Sequence, residues 1–306
     1  MLILSQESGT GFITTCSKSG VVALTFDDGP GPYTNILLDY LSKKKIKATF
    51  FVVGITIKEY PDVLKRIFRD GHQIGLHTNT HPHLNELSYE QQKDEIIQVN
   101  NTIYEVVGVV PNYMRPPFGE CNEHCGELMK SLGLTVTQWN LDSGDWRYEL
   151  LTSEEQRYRI LNNILSKLLP SNSKIDSFIT LQHDTYRYSV EIVPKIVEEF
   201  EKKGYAFKTV AECLGNKVLP YKCEGNKNLT TKNRKMNNTG TNNMKSNSKN
   251  NMNNNINNNT KNNTMSKTGG GKNVTSGSAP GSSNNRIFIG ISIFNAIIFG
   301  LLSVDG

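Results

Sequence analysis

Residues 21–30 read VVALTFDDGP, and this stretch decides the fold of the chain. It opens with an apolar, β-branched run of the kind that forms a strand buried on both faces. It closes on Asp27-Asp28-Gly29-Pro30, a sequence typical of a turn. The stretch therefore predicts a buried strand that carries two adjacent carboxylates to its carboxyl end.

Outward from this strand, further buried strands alternate with helices as far as residue 214. Capping boxes, in which Ser or Thr is followed three residues later by Gln or Glu, predict that two long helices begin after Ser88 and Thr152. The pattern of about seven strand–helix units is typical of a mainly parallel α/β sheet in a closed or partly closed barrel. The further strands are predicted at residues 48–53, 73–76, 135–138, 177–181 and 205–207, and the helices at residues 33–45, 57–70, 88–107, 152–169, 190–203 and 209–214.

Polar side chains gather where the predicted strands end. Residues 27–28, 77–81, 142–145 and 183–184 each follow a predicted strand, the third of them a strand near Trp139. In a parallel barrel the carboxyl ends of the strands meet at one face, which is where active sites lie. We therefore expect these four clusters to form a single site.

One pair of histidines suggests that the site binds a metal. His77 and His81 are separated by three residues, so that one turn can direct both imidazoles at a single divalent ion, with Asp28 as a third ligand. Adjacent residues at a strand end point in different directions, which leaves Asp27 to act as a base on a bound water. A coincidental histidine pair and a plain surface turn are the alternatives, and the buried strand that delivers the turn argues against the second.

Five motifs occur in order: TFDDGP at 25–30, HTNTH at 77–81, RPPFG at 115–119, DSGDW at 142–146 and LQH at 181–183. Together they resemble the polysaccharide deacetylases of the NodB-homology type (carbohydrate esterase family 4), most closely the fungal chitin deacetylases. The similarity covers residues 12–214. It implies a distorted (β/α) barrel of the NodB-homology type. It also implies a metal-dependent hydrolase that removes N-acetyl groups from N-acetylglucosamine units of chitin, giving chitosan and acetate.

The same resemblance implies a metal site and a base. Asp28, His77 and His81 would hold zinc, or a similar divalent ion such as cobalt, which lowers the pKa of its water and polarises the acetyl carbonyl. Asp27 would be the general base. Arg115 would pair with Asp27 and keep its carboxylate ionised and oriented.

The remaining roles that the resemblance implies concern the leaving group and the pocket. His183 would be the general acid that protonates the departing amine, and Asp145 would tune and orient it. Trp146 and Leu181 would wall the pocket that accepts the acetyl methyl. The backbone N–H of Phe118 would hold the oxyanion together with the metal; many family members have Tyr at this position, but the main chain supplies the donor.

The chain has five cysteines, an odd number that leaves at least one thiol without a partner in the same chain. From the residues alone, buried reduced thiols are an alternative to disulfides. The resemblance implies a local disulfide between Cys121 and Cys125 and a second disulfide between Cys16 and Cys213, which would join the two ends of the domain. Cys223 is then unpaired.

Three histidines outside the motifs receive a plain interpretation. His72 and His83 are predicted to be structural or exposed. His124 lies between two cysteines, so a Cys-x2-His-Cys metal knuckle is conceivable from the spacing, whereas the resemblance favours the local disulfide.

Charge is distributed unevenly along the chain. Residues 225–286 hold ten Lys or Arg and no Asp or Glu, while residues 1–224 have a net charge of −4. The basic character therefore belongs to the tail, and nucleic-acid binding by the domain has no support. The tail is rich in Asn, Lys, Ser and Thr and cannot bury a core, which predicts a disordered Asn-rich linker over residues 215–286. Its Asn-x-Thr sequons gain meaning only in a secreted glycoprotein.

Residues 287–304 form an uncharged apolar run of 18 residues, preceded by small residues at 276–279 and a polar spacer. This layout is typical of a GPI-anchor signal, so residues 287–306 predict attachment to the plasma membrane at the cell surface or cell wall. A plain transmembrane helix is the alternative. Residues 1–11 lack the features of a signal peptide, so either the true beginning is missing or the chain is not secreted, and the C-terminal signal favours the former.

Two other functions are compatible with the motifs. An acetylxylan esterase of the same family would use the same machinery, although a membrane anchor suits an enzyme that remodels its own cell-wall chitin. A non-catalytic carbohydrate-binding surface protein would be expected to have lost a metal ligand or the base, and all of these residues are present. We expect the domain at residues 12–214 to act as a monomer on chitin or chito-oligosaccharides.

Overall fold

A computed structural model of the chain describes residues 12–222. Strands and helices alternate along this part, and three short 3-10 helices lie in the loops, at Leu84–Glu86, Pro117–Gly119 and Asp145–Arg147. The strands are β1 (Val21–Ala23), β2 (Thr25–Asp27), β3 (Thr49–Val52), β4 (Gln73–Leu76), β5 (Tyr113–Met114), β6 (Thr135–Val136), β7 (Leu141–Asp142), β8 (Phe178–His183) and β9 (Ala206–Phe207). The helices are α1 (Thr34–Lys44), α2 (Gly54–Glu59), α3 (Pro61–Arg69), α4 (Tyr89–Val107), α5 (Glu123–Ser131), α6 (Ser153–Leu168), α7 (Arg187–Lys202) and α8 (Val210–Cys213).

Several predictions lie outside the described residues. They concern residues 1–11, residues 223–286 of the Asn-rich linker with Cys223, and the C-terminal anchor signal. The predicted start of the linker at residue 215 is wrong, because residues up to 222 are bonded to the domain: the N–H of Asn112 donates to the carbonyl oxygen of Pro220 at 2.9 Å, and the N–H of Lys222 donates to that of Val110 at 2.8 Å. Within residues 12–222, no helix combines the length and the apolar character that a membrane span requires.

Every named strand pair is parallel. The strands follow the order β6-β5-β4-β3-β2-β8-β1-β9, and β7 pairs with the middle of β8. β1 and β2 are separated only by Leu24 and pair with the two ends of β8, so the beginning of the domain lies beside its last long strand. The predicted α/β fold with a mainly parallel sheet and surrounding helices is confirmed.

Alternate residues of the strands face opposite sides of the sheet. On one side, residues such as Phe26 and Phe50 pack against the helices in the larger apolar cluster. On the other side, which we call the inner face, Phe51, Tyr113 and Ile179 belong to a second, smaller cluster. The two clusters together bury most of the apolar side chains of the strands, which fixes the register of the sheet.

Helix α8 covers the amino-terminal end of the inner face. The N–H of Val210 donates to Oγ1 of Thr49 at 2.9 Å, and the N–H of Ala211 donates to Oε1 of Gln73 at 2.8 Å. These bonds satisfy free N–H groups of the first helical turn with side chains at the start of β3 and β4. The carboxyl end of the inner face is left for the polar residues that follow the strands.

Some helices and strands begin or end at other residues than predicted. The helix predicted at 57–70 is two helices, α2 and α3, because Pro61 has no N–H to donate and disfavours helical geometry in Tyr60 (φ −126°, ψ 51°). The strand predicted at the start of the domain is divided into β1 and β2. The capping box at Ser88 is present, with both reciprocal hydrogen bonds.

Candidate active site

The register of the parallel strands brings the predicted site residues to one edge of the sheet. Asp27 ends β2 and is the direct neighbour of His183, which ends β8. The last residues of β4 and β5 are also paired, so His77 and Arg115, which follow them, are neighbours as well. The polar clusters at residues 27–28, 77–81 and 183 therefore meet, as expected from the strand ends.

Asp28, His77 and His81 form a compact cluster of possible metal ligands. Nε2 of each histidine lies 3.2 Å from Oδ1 of Asp28, and one ligand atom from each residue lies within 4.8 Å of the other two. Nδ1 of His77 lies 2.7 Å from the carbonyl oxygen of Arg115. A carbonyl only accepts, so Nδ1 carries a proton, and Nε2 is the nitrogen that faces Asp28.

These donor atoms fit a divalent ion. Oδ1 of Asp28 is buried and has no hydrogen-bond partner among the described residues. Burial raises the pKa of the Asp28 carboxyl, but contacts with His77 and His81 and the charge of His183 outweigh burial and hold its pKa well below the usual range. Two imidazole nitrogens that face one carboxylate oxygen can all bind the same cation, and two histidines with one carboxylate are a ligand set typical of catalytic zinc.

Asp27 points away from this cluster and pairs with Arg115. Nη1 of Arg115 lies 2.9 Å from Oδ1 of Asp27, and both side chains are buried, with exposures of 0% and 2%. Arg115 also donates to Oγ1 of Thr25 at 2.6 Å and to the carbonyl oxygens of Thr137 and Gln138. Burial lowers the pKa of Arg115, and the charge of Asp27 opposes this change. The arginine thus makes four hydrogen bonds in the interior, where an unpaired charge would be costly.

His183 pairs with Asp145 on the other side of the cluster. Nδ1 of His183 lies 2.8 Å from Oδ1 of Asp145, and Nε2 faces Oδ2 of Asp28 at 3.8 Å. Burial lowers the pKa of His183, but the Asp145 carboxylate and the charges of Asp28 and Asp27 outweigh it and raise the pKa to about 10. The imidazole is therefore protonated near neutral pH, with its free Nε2–H directed towards the cluster.

Asp145 is itself held by several donors. Its carboxylate accepts hydrogen bonds from the backbone N–H of His183 at 2.7 Å, from the hydroxyl of Ser189 at 2.6 Å and from the N–H of Trp146 at 2.9 Å. Burial raises the pKa of Asp145, but the positive charge and hydrogen bonds of His183 outweigh burial and lower it. Asp145 is thus a fixed, ionised partner for the histidine.

The predicted pocket residues have different environments. Phe118 is half-exposed, its ring lies edge-on to His81 at 4.7 Å between centroids, and it stacks on His83 at 3.9 Å. Trp146 is also half-exposed and lies under the guanidinium of Arg147. Leu181 is buried in β8, two residues before His183. Phe118 is thus in contact with a candidate ligand, whereas Trp146 and Leu181 are linked to the site through their chain neighbours.

Strained backbone is concentrated at this site. Four non-glycine residues have positive φ there: Asp28 (71°), Thr78 (66°), His81 (60°) and Phe118 (58°). A positive φ is unfavourable for residues with a side chain and persists where surrounding contacts enforce it. The turn at Asp28 is what separates its side chain from that of Asp27, so that the two adjacent carboxylates face different partners.

The two disulfides that the resemblance implies are present. Cys16 is bonded to Cys213, and Cys121 is bonded to Cys125. The second bond removes both thiols that a metal knuckle around His124 would need. The imidazole of His124 is largely exposed, with 84% of its side-chain surface accessible.

The other two histidines outside the motifs are structural or exposed, as predicted. His72 is buried and accepts a hydrogen bond from the N–H of Ala48. His83 is exposed and forms an ion-pair contact with Glu120 at 3.0 Å. Neither ring belongs to the cluster of possible metal ligands.

Sequence reasoning missed several polar residues that support the site. Thr25 binds Arg115, Ser189 binds Asp145, and Glu95 binds the loop between His77 and His81. Thr25 lies within the first motif, so its position was a usable signal. Ser189 and Glu95 lie within helices, where a polar residue has no pattern that separates a buried contact from a solvated one.

Asp184 was grouped with the strand-end cluster, but its carboxylate is not directed at the possible metal ligands. It is fully buried and is hydrogen-bonded to the hydroxyl of Thr34. Burial raises the pKa of Asp184 to about 7. It packs against Gly29, where a Cβ would lie 2.3 Å from Oδ1 of Asp184, so that glycine is required for this contact.

Comparison with known proteins identifies the class to which this fold and site belong. Residues 14–137 match the family model of the polysaccharide deacetylases. A chitin deacetylase from Colletotrichum lindemuthianum is 35% identical over 210 residues, which cover 67% of this chain and 83% of that protein. The chain therefore belongs to the polysaccharide deacetylase family, and its predicted membership of a family of amide-bond hydrolases is confirmed.

Individual relatives share the domain to different extents. Chitin deacetylase 1 from Cryptococcus neoformans is 35% identical over 233 residues, and the match spans 72% of this chain but only 49% of that protein. The solved structure of the Colletotrichum lindemuthianum chitin deacetylase superimposes with a TM-score of 0.66 at 33% identity, over 70% of this chain and 96% of that one. The peptidoglycan deacetylase PdaC from Bacillus subtilis gives a TM-score of 0.56 at 33% identity, over 64% and 90% of the two chains.

Proposed function

We propose that this protein is a metal-dependent chitin deacetylase, which hydrolyses the N-acetyl groups of N-acetylglucosamine units and releases acetate. The observation that carries the proposal is the convergence of three elements at one sheet edge. These are a histidine–carboxylate cluster, a buried aspartate–arginine pair and a buried histidine–aspartate pair. Together they supply a metal site, a base and an acid, which are the groups that amide hydrolysis requires.

In this proposal Asp28, His77 and His81 hold the metal, with zinc or cobalt as the candidates. A divalent ion in that position would polarise the acetyl carbonyl and make water more acidic. His77 is oriented for this task because its Nδ1–H is bonded to the carbonyl oxygen of Arg115, which leaves Nε2 for the ion.

Asp27 is proposed as the base that accepts a proton from the attacking water. Its Oδ1 is held by Arg115 in a buried ion pair at 2.9 Å, which fixes the position of the carboxylate. Arg115 serves both halves of the site, because its guanidinium binds Asp27 while its carbonyl oxygen binds His77.

His183 is proposed as the acid that donates a proton from Nε2 to the departing amine nitrogen. The Asp145 carboxylate stabilises the imidazolium and holds Nδ1–H, so only Nε2–H is available for transfer. The amine that leaves when an amide is hydrolysed must be protonated as it departs, which is why the site needs an acid as well as a base.

The pocket residues have supporting roles. We assign the backbone N–H of Phe118 to the oxyanion and the side chains of Trp146 and Leu181 to the wall around the acetyl methyl. Phe118 has φ 58° in a short 3-10 helix, a conformation that sets the direction of its peptide plane. Removal of a single oxyanion donor is expected to cost about 100-fold in kcat or more.

Chitin is the proposed polymer because two relatives at 35% identity are named chitin deacetylases. Another relative at 35% identity is named a peptidoglycan-N-acetylglucosamine deacetylase, so the test includes both polymers. The test is acetate release from chitohexaose, acetylxylan and peptidoglycan, each with and without chelator. We expect release from chitohexaose that stops with chelator and returns with zinc. Release from acetylxylan or peptidoglycan alone would refute the proposed substrate.

A paired substitution tests the assignment of the two aspartates. Asp27→Asn is expected to abolish turnover while the protein still binds zinc, because Asp28 keeps the metal. Asp62→Asn is the matched control, since Asp62 is exposed over 89% of its side chain and lies on α3. Loss of zinc in Asp27→Asn would mean that the roles of Asp27 and Asp28 are reversed.

We also propose that the protein acts as a monomer outside the cell, attached to the surface through a GPI anchor. Two disulfides in the domain suit an oxidising compartment. The anchor rests on the sequence of residues 276–306. Release of the protein from intact cells by a phosphatidylinositol-specific phospholipase is expected, and retention after this treatment would favour a transmembrane helix.

A further inference from the structure

A carboxylate on helix α4 holds the loop between the two candidate histidine ligands. Oε2 of Glu95 accepts hydrogen bonds from the N–H of Asn79 and the N–H of Thr80, both at 2.8 Å. Oε1 of the same side chain accepts a hydrogen bond from the hydroxyl of Thr80, also at 2.8 Å. One side chain therefore binds three donors of the loop at residues 78–81.

We propose that Glu95 is a positioning residue, which fixes the placement of His81 relative to His77 and so sets the affinity of the site for its metal. The inference rests on the proposed function, because it assumes that the two histidines are ligands. Among the described residues, Glu95 forms hydrogen bonds with Asn79 and Thr80 but not with Asp28, His77 or His81, so its effect would be exerted through the loop backbone.

The loop needs such support because its conformation is strained. Thr78 and His81 have φ values of 66° and 60°. Thr78 is β-branched and fully buried, which makes a positive φ especially unfavourable. Strain of this kind persists only where the surrounding contacts over-determine the backbone. The bonds from Glu95 act on the two residues that lie between the strained positions.

Helix α2 holds the same loop from the other side. The N–H of Gly54 donates to the carbonyl oxygen of Thr78 at 3.0 Å, and the N–H of Ile55 donates to that of Asn79 at 2.9 Å. The loop thus presents carbonyl groups to α2 and N–H groups to α4. Glu95 supplies the acceptor on the α4 side, and without it the buried Asn79 would lose the partner of its N–H.

The loop has no room to relax towards α2. A Cβ added at Gly54 would lie 2.2 Å from Oδ1 and 3.0 Å from Cα of Asn79, so the two backbones are already in close contact. On the α4 side, Nδ2 of Asn79 donates to Oε1 of Gln98 at 3.0 Å, but Gln98 is exposed and makes only this one bond to the loop. Loss of Glu95 would therefore release the loop on the α4 side and let His81 move.

The test compares three substitutions in the full chain. Glu95→Met has a similar length and helix propensity but no acceptor. Glu95→Gln keeps an oxygen for the two N–H groups, and the hydroxyl of Thr80 can rotate to accept from its amide. Glu105→Met is the matched control, because Glu105 lies on the same helix and is exposed. Affinity for zinc is measured by competition with a chelator, and the visible absorption of the cobalt-loaded protein reports ligand geometry.

We expect Glu95→Met to weaken zinc binding about 10- to 100-fold and to change the cobalt spectrum, as loss of an outer partner of a metal ligand does. Glu95→Gln and Glu105→Met should remain close to wild type. Wild-type affinity and spectrum in Glu95→Met would overturn the inference. An equal loss in Glu95→Gln would also overturn it, because charge rather than hydrogen bonding would then be responsible.

Three further outcomes are informative. If Glu95→Met does not fold, Glu95→Asp replaces it: the shorter side chain keeps the charge but cannot reach all three donors, so weaker zinc binding supports the inference and wild-type binding overturns it. If the wild-type chain binds no zinc, the proposed function fails and the inference falls with it. Normal zinc binding in both wild type and Glu95→Met overturns the inference alone.

Discussion

Substitution of His72 by Gln should make the domain less sensitive to acid. The imidazole of His72 is 3% exposed, and its Nδ1 accepts a hydrogen bond from the N–H of Ala48 at 3.1 Å. Nδ1 must therefore be unprotonated in the folded protein. The other ring nitrogen, Nε2, is buried with no hydrogen-bond partner among the described residues. A second proton on this ring would break the bond to Ala48 and place a charge in the interior.

The magnitude follows from the pKa of the buried ring. Burial, with the positive charges of Lys47 and Arg66, lowers the pKa of His72 from 6.5 to about 4, although Asp70 opposes the change. Below pH 6.5 the His72 side chain of the unfolded chain takes up a proton. In the folded chain the same side chain does not accept this proton until the pH reaches about 4. The free energy of unfolding therefore falls as the pH falls between these two values. At about 1.4 kcal/mol per pH unit, the free energy of unfolding drops by about 1.4 kcal/mol at pH 5.5 and by about 3 kcal/mol at pH 4.

The assay is urea unfolding of wild type and His72→Gln at about ten evenly spaced pH values between pH 7.5 and pH 4. Chelator is present throughout. The side-chain amide of Gln can still accept from Ala48, and groups that titrate in both proteins cancel in the difference. The difference in unfolding free energy should move in favour of the variant by about 3 kcal/mol on acidification. His124→Gln is the control, because its exposed ring should give no trend. A pH-independent difference for His72→Gln would refute the reasoning.

Other predictions concern the acid and the disulfides. Asp145→Asn should lower kcat for acetate release by about 100-fold or more, because His183 loses the charge that holds its proton, and an unchanged kcat would contradict this role of Asp145. Cys16→Ser should reduce the free energy of unfolding by about 5 kcal/mol, since its disulfide closes a loop with a sequence separation of 197. Cys121→Ser, which opens a loop with a separation of only 4, should cost about 2 kcal/mol in the same urea titration, and equal losses would contradict the loop-length argument.

The positions of the strand ends could be predicted from the sequence because they depend on short-range patterns. The apolar run before Asp27 and the turn after it establish both a strand and its polarity, and parallel connections then force such ends to one edge. The capping box at Ser88 is equally local, and the structure contains it. The break at Pro61 was also present in the sequence, so the single helix predicted across it was an avoidable error.

The supporting residues of the site could not be found in this way because their partners are distant in sequence. Ser189 lies 44 positions from Asp145, and Glu95 lies 16 positions from Asn79 on a helix whose rotation is set by packing. The direction of Asp184 is a different case. Its neighbour His183 is the last residue of β8, whereas Asp184 lies in the turn that follows, so the period of the strand does not predict the direction of its side chain.

The strand order has a consequence for synthesis of the chain. β1, the first strand of the described residues, lies between β8 and β9, so both of its sheet neighbours are synthesised much later, near the end of the domain. Its apolar residues Val22 and Ala23, which are fully buried in the finished domain, must wait until residues 178–207 have been made. During that interval they are an exposed strand edge of the kind that invites aggregation. Production of this domain should therefore depend on chaperone capacity more strongly than its size alone would suggest.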